Sequence, residues 1–167
     1  MTLRYQKLRP EAVTPVRATP GSAALDLHAV CGEEGVTLPP LGRAVIPTGI
    51  AIELPGPETV ALVFARSGLA VKNGLALSNG VGVIDSDYRG EISVGLVNLS
   101  AEPYTVHAGE RIAQLAVVPV LLPQLMEAET LTPTERGAGG FGSTGRYSES
   151  EAAPVICLPA ECKPNEI

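Results

Sequence analysis

Glu91-Ile-Ser-Val-Gly-Leu-Val-Asn98 puts Ile92, Val94 and Leu96 on one side of an extended chain and Ser93, Gly95 and Val97 on the other. A side-chain period of two is the mark of a strand with one buried face. Immediately before it, Asp87-Tyr-Arg-Gly90 reads as a hairpin turn. Outward from this segment the same grammar repeats. Thr59-Val-Ala-Leu-Val-Phe64 is a short continuous apolar run, expected to be a strand buried on both faces. Tyr104-Thr-Val106 and Arg111-Ile-Ala-Gln-Leu-Ala-Val-Val118 are two further strands with a turn at Ala108-Gly-Glu110. Val36 to Leu54 supplies short apolar runs broken by Pro39, Pro40, Pro47 and Gly49. No window of a dozen residues offers an i, i+3, i+4, i+7 apolar face, so helix is confined to a turn or two near Ser67 to Asn73. Short strands about ten residues apart, separated by glycine turns, imply an all-β sandwich or jelly roll.

Bulk properties agree. The 167 residues suit one domain with a tail. Hydrophobic residues make up 45% of the chain, but only four are Tyr, two are Phe and none is Trp, so aliphatic side chains must fill the core. The formal charge of −6 excludes the broad basic footprint of a nucleic-acid binder. A polyanionic ligand would need a few placed arginines, backbone amides or a metal. Cys31, Cys157 and Cys162 fit neither a disulfide framework nor a zinc site. Met1 to Pro10 is polar and lacks an apolar secretory core, and no apolar stretch approaches the length of a membrane span. A soluble, cytoplasmic protein is the expectation.

Beyond Leu125 the composition changes. Residues 1–125 are expected to form the core and 126–145 a mobile glycine-rich arm. Within that arm, Arg136 to Gly145 carries five glycines in ten residues. Such a segment holds no fixed shape unaided, because ordering glycine costs the most backbone entropy. Residues 146–167 read as a disordered tail.

Four segments have the residue types that chemistry needs. Ala65-Arg-Ser-Gly-Leu-Ala70 follows a strand, so Ser67 and Gly68 can open a turn whose amides face an anion beside Arg66. An ordinary strand-to-turn corner is the competing reading. In Asn79-Gly-Val-Gly-Val-Ile-Asp85-Ser-Asp87-Tyr88, a carboxylate ends an apolar run, where a partly desolvated general base belongs. For an isolated Asp, turn chemistry is the stronger reading. Arg111 and Gln114 sit inside a strand-like run and need partners, a structural ion pair of Arg111 with Asp26 being the plain explanation. The last segment joins Arg136 and Phe141 within glycines, and a solvated linker has no use for Phe. His28 and His107 lack neighbouring ligand residues and read as structural.

Taken in order, these segments together with Ala18-Thr-Pro-Gly-Ser-Ala-Ala-Leu-Asp26-Leu27 resemble the five motifs of the trimeric dUTP pyrophosphatase family, from Arg4 to Gly145. The resemblance implies a jelly-roll subunit, a homotrimer with sites shared by three chains, and hydrolysis of dUTP to dUMP and pyrophosphate. Such a reaction limits uracil incorporation into DNA and supplies dUMP for dTMP synthesis. It further implies that Asp85 activates water for attack on the α-phosphorus, while Tyr88 underlies the deoxyribose and excludes a 2′-hydroxyl. Asn79 and the backbone of Gly82, Val83 and Ile84 would read uracil. Arg66, Ser67, Gly68 and Gln114 would bind phosphates. Arg136, Phe141, Gly142, Ser143 and Thr144 would form a lid, Arg136 on the γ-phosphate and Phe141 on uracil. Asp26 would hold magnesium (Mg2+) through its water shell. Ala24 and Ser93 depart from the family pattern. A dCTP deaminase of the same fold, or a signalling scaffold acting through the tail, are the competing functions. The pairing of Asp85 with Tyr88 and the complete fifth motif favour hydrolysis.

Overall fold

In a computed structural model, residues 2–141 and Ser143 are described. The chain divides into two units, Met1–Leu122 and Pro123–Ile167. The first carries eleven strands and one helix: β1 (Arg4–Lys7), β2 (Leu25–His28), β3 (Val36–Leu38), β4 (Arg43–Pro47), β5 (Ile50–Glu53), β6 (Thr59–Ala65), α1 (Ser67–Asn73), β7 (Leu75–Leu77), β8 (Gly82–Ile84), β9 (Ser93–Asn98), β10 (Tyr104–Val106) and β11 (Arg111–Pro119). All ladders are antiparallel. The largest sheet has the order β2-β11-β6-β8, and a second runs β4-β9-β7, while β1-β5 and β10-β3 form two-stranded ribbons.

The alternation that opens the chain's reading is obeyed. Ile92, Val94 and Leu96 are buried, and the same face continues into the fully buried Asn98. With Leu27, Leu38, Ile46, Ile50, Leu75, Val106, Ile112 and Leu115 they form one aliphatic core. Asn98 survives there because all its hydrogen-bonding capacity is used. Its Nδ2 donates to the carbonyls of Leu38 (2.9 Å) and Glu102 (2.8 Å), and its Oδ1 accepts from the Ser100 amide (2.9 Å) and hydroxyl (2.7 Å).

Two expectations need correction. Asp87 to Gly90 does not close a hairpin, since β8 pairs with β6 whereas β9 pairs with β4 and β7. The turn falls earlier, at Asp85 to Tyr88, where the Tyr88 amide donates to the Asp85 carbonyl at 3.2 Å, and it carries the chain from one sheet to another. Nor is β6 buried on both faces within one chain. Thr59, Ala61 and Val63 are buried, but Val60, Leu62 and Phe64 are only half-buried. Their register neighbours Val118, Ala116 and Gln114 are also half-buried, and Val83, opposite Leu62, is 64% exposed. One face of the largest sheet is therefore mostly apolar and incompletely covered.

α1 is a single short helix at the expected place. It ends because Gly74 takes a left-handed conformation (φ 69°) and its amide caps the last turn. A Cβ there would lie 2.8 Å from the Ser100 amide nitrogen, so glycine is required for both reasons. In the second unit the described residues form neither strand nor helix. The Arg136 Nε donates to the Gly139 carbonyl at 2.9 Å, and Phe141 is fully exposed with φ 41°. Gly142, Thr144, Cys157, Cys162 and the expected tail 146–167 lie outside the described residues. None of the described helices is long and apolar enough to cross a membrane.

Candidate active site

The candidate residues of the first unit fall into two depressions. One, of about 220 Å³, is lined by Asn79, Gly82, Val83, Ile84, Asp85 and Tyr88 against Val63, Leu77 and the start of β9. Its floor depends on Gly82, because a Cβ there would press on the Val63 Cβ at 3.0 Å. Ile84 is buried and anchors the strand, which leaves Asp85 at its end facing outward. Asp85 is exposed within the single chain, so the expected partial desolvation is not supplied by its own subunit. Tyr88 is 46% exposed, and its hydroxyl donates to the Glu91 carbonyl at 3.0 Å. The ring lies over Gly90, where any Cβ would collide with the tyrosine hydroxyl. Ser93, one of the departures from the family pattern, lines this depression too.

The second depression, of about 160 Å³, brings together Ala18, Ser22, Ala24, Asp26, Arg66, Ser67, Gly68 and Gln114. These come from three separate sequence segments, joined because β11 pairs with both β2 and β6. Arg111 and Gln114 are three apart, which in a regular strand would set them on opposite faces. A register shift between Arg111 and Ala113 adds one residue, and both Ile112 and Ala113 turn inward. The bulge thus lets both polar side chains face the Asp26 side. The Gln114 Nε2 donates to the Ala65 carbonyl at 2.9 Å, which holds the start of the Arg66 turn.

Asp26 is the electrostatic centre of this depression. It is buried, with its Oδ1 3.1 Å from the Arg66 Nε and its Oδ2 3.2 Å from the Arg111 Nη1. The ion pair expected for Arg111 is present, and Arg66 shares the same carboxylate. Arg66 also donates to the Arg111 main-chain carbonyl at 3.2 Å, so the three residues form a closed cluster. His28 lies close by on β2. Burial lowers its basicity, with Asp26 opposing and the two arginines adding to the effect. Its Nδ1 is buried with no partner among the described residues.

No group of three His, Cys, Asp or Glu side chains capable of enclosing a metal occurs among the described residues. A carboxylate has about four lone-pair positions, and the arginines occupy one on each oxygen of Asp26. Asp26 can therefore still accept from metal-bound water, and an all-oxygen outer contact is what magnesium bound mainly by phosphates requires. The residues present fit that group.

One element of the site escaped the reading of sequence. Glu91 lines the first depression, and its carboxylate receives a bidentate pair from Arg9, 2.9 Å from Nε and 3.0 Å from Nη2. The guanidinium holds the Glu91 carboxyl below the usual carboxylate range, helped by the Gly49 amide and opposed by burial. An 82-residue separation leaves no local signal for such a pair.

The dUTPase family model matches residues 11–145, across both depressions and into the glycine-rich segment. The chain belongs to the dUTPase family. A deoxyuridine 5′-triphosphate nucleotidohydrolase of Desulfitobacterium hafniense is 56% identical over 131 residues, covering 78% of this chain and 86% of that protein. One from Neisseria meningitidis serogroup A is 50% identical over 135 residues, covering 81% and 89%. Among solved structures, a mutant dUTPase of Staphylococcus bacteriophage 80alpha with dUpNHpp superposes with a TM-score of 0.78 at 30% identity, covering 86% of this chain and 98% of that one. A mutant phage phi11 dUTPase, described with a coordinated structural Mg(II) ion, gives 0.72 at 26% identity, covering 80% and 100%. The all-β jelly roll is the fold of this family.

Proposed function

We infer that the protein hydrolyses dUTP to dUMP and pyrophosphate by attack of water on the α-phosphorus, so limiting uracil in DNA and supplying dUMP. The observation that carries this reading is the first depression, where a base-reading edge, a ring for the sugar and a carboxylate share one wall. Asn79 and the β8 backbone from Gly82 through Val83 to Ile84 read the uracil edge. A wrong base would leave their buried polar groups unpaired. Tyr88 closes the space a ribose 2′-hydroxyl would need. Asp85 accepts a hydrogen bond from the attacking water, orients it and takes its proton.

Arg66, Ser67, Gly68 and Gln114 bind the α- and β-phosphates. The short α1 offers backbone N–H groups at Ser67 and Gly68, both exposed. Asp26 holds Mg2+ through its water shell. When bound, the ion neutralises phosphate charge and fixes the geometry of the leaving pyrophosphate. The arm 126–145 orders over substrate, with Arg136 on the γ-phosphate, Phe141 stacked on uracil, and Gly142 and Ser143 supplying donors. A fully exposed Phe in a left-handed conformation favours a role outside its own subunit.

A homotrimer with shared sites completes the reading. The two depressions have different linings, and each is smaller than the roughly 300 Å³ at which ligand pockets begin. A partner subunit would cover the half-buried Val60, Leu62 and Ala116 and remove Asp85 from bulk water. We place the enzyme in the cytoplasm, where the free thiol of Cys31 stays reduced.

Turnover in heavy-oxygen water tests the mechanism. Label found in dUMP supports attack at the α-phosphorus. Label found in pyrophosphate would overturn it.

A further inference from the structure

The contacts around Glu91 reach well beyond the pocket. Arg9 lies in the turn after β1, where the Ala12 amide donates to the Arg9 carbonyl at 3.1 Å. The Leu8 amide donates to the Gly49 carbonyl at 2.8 Å, and the Gly49 amide donates to the Glu91 Oε1 at 2.7 Å. Gly49 adopts φ 68°, and a Cβ on it would come within 2.6 Å of the Ala12 Cβ, so no other residue fits between the two turns. Buried Thr48 fastens the next residue, its hydroxyl donating to the Ile92 carbonyl at 2.6 Å. Glu91 is therefore held on both sides of its backbone, by Tyr88 through its carbonyl and by Ile92 through the Thr48 link. Its carboxylate is fixed by two guanidinium donors and one amide.

A planar guanidinium bound through two nitrogens fixes orientation as well as distance. Few devices are better suited to setting the position of a half-exposed aromatic ring. Among the described residues the Tyr88 hydroxyl has one partner, the Glu91 carbonyl, and the nearby Gly90 offers no side chain to support the ring. The place of the ring against the pocket is thus set by where Glu91 sits.

We propose that Arg9 is a positioning residue for sugar selection: by clamping Glu91 it fixes the Tyr88 ring where a ribose 2′-hydroxyl would have to be. The proposal rests on the reading of Tyr88 as the residue beneath the deoxyribose. The clamp acts by geometry and ties the N-terminal ribbon of β1 and β5 to substrate choice.

The test is the ratio of kcat/KM for dUTP to that for UTP in the full-length protein carrying Arg9→Ala, Arg9→Lys, Glu91→Gln or Tyr88→Ala, and in the Arg9→Ala/Tyr88→Ala double variant. Displacing a positioned group by about 1 Å costs up to roughly 100-fold, and partial release of the ring is expected to lower the ratio about tenfold in Arg9→Ala. Arg9→Lys should fall between, having charge without the fork. Glu91→Gln keeps the side chain's volume and should lower the ratio even if Arg9→Ala fails to fold. In the Tyr88→Ala background, Arg9→Ala should add no further loss, because the two act as one unit. A merely structural Arg9 would lower stability and both kcat/KM values together, leaving the ratio unchanged, and that outcome overturns the proposal. If Tyr88→Ala itself leaves the ratio intact, the reading of Tyr88 fails and the proposal falls with it.

Discussion

Asp26→Asn is the most informative single change in the second depression. The carboxylate is nearly buried, its side chain 10% exposed, and each oxygen faces a different arginine at 3.1 and 3.2 Å. The amide keeps the shape but loses the charge, and one of its two heads becomes an NH2 group. That NH2 must face a guanidinium donor, so one arginine loses its acceptor and both lose their counter-charge. Breaking a fully buried pair costs about 3–5 kcal/mol, and an exposed pair about 1 kcal/mol or less. Here the acid is buried while Arg66 and Arg111 are 28% and 48% exposed. Water can therefore compensate the cations in part, and the estimate falls to about 2 kcal/mol. For a chain of this size that corresponds to a melting temperature lowered by roughly 4–8 °C. Urea unfolding at one fixed subunit concentration is the appropriate assay, since assembly would otherwise contribute. The KM for dUTP should also rise, because Arg66 is no longer held beside Ser67. A loss below about 0.5 kcal/mol, or a gain, would refute the claim that Asp26 organises the two arginines.

Three further outcomes follow from particular contacts. The folded Glu91 carboxyl titrates below its usual range, so its contribution to stability is complete above the ordinary glutamate value and is lost as pH falls through the depressed one. Acid unfolding curves of Glu91→Gln and the parent should accordingly diverge most above pH 4.5 and converge below it, and curves parallel throughout would contradict the clamp. Asn98→Ala takes a donor from the buried Leu38 carbonyl and the acceptor from the Ser100 amide, while the Glu102 carbonyl keeps the Ser100 hydroxyl, and should cost about 2 kcal/mol in urea unfolding, a loss under about 0.5 kcal/mol counting against its role. Phe141→Ala should raise the KM for dUTP roughly tenfold, as stacking on a base contributes about 1–3 kcal/mol, and an unchanged KM would remove the arm from the site.

What could be read from sequence follows the range of the forces involved. Period-two alternation is local, so β9, β10 and β11 were legible, as was α1 between an apolar run and the left-handed Gly74. The ion pair of Asp26 with Arg111 was legible too, because a charge inside an apolar run needs a counter-charge. The Arg9–Glu91 clamp was not, because its partners lie 82 residues apart and meet only once the chain between them has folded. β1 also escaped, since Arg4 to Lys7 is exposed along its whole length and lacks a buried face to pattern it. The Asp87–Gly90 turn was misread as a hairpin because a turn signal does not say which sheet the chain enters next. The exposure of Asp85 has a similar origin. Ile84 ends an apolar run, but the run reports the core of its own subunit and says nothing of what covers the carboxylate that follows it.

The most direct test of the central claim is pyrophosphate release from dUTP, dCTP, dTTP and UTP, with magnesium and with chelator, by the parent protein and by Asp85→Asn. Release confined to dUTP is expected. Loss of a positioned general base should lower kcat by roughly 100- to 10,000-fold in Asp85→Asn while the protein remains folded. No release from dUTP by the folded parent, or full turnover without the Asp85 carboxylate, would contradict the account.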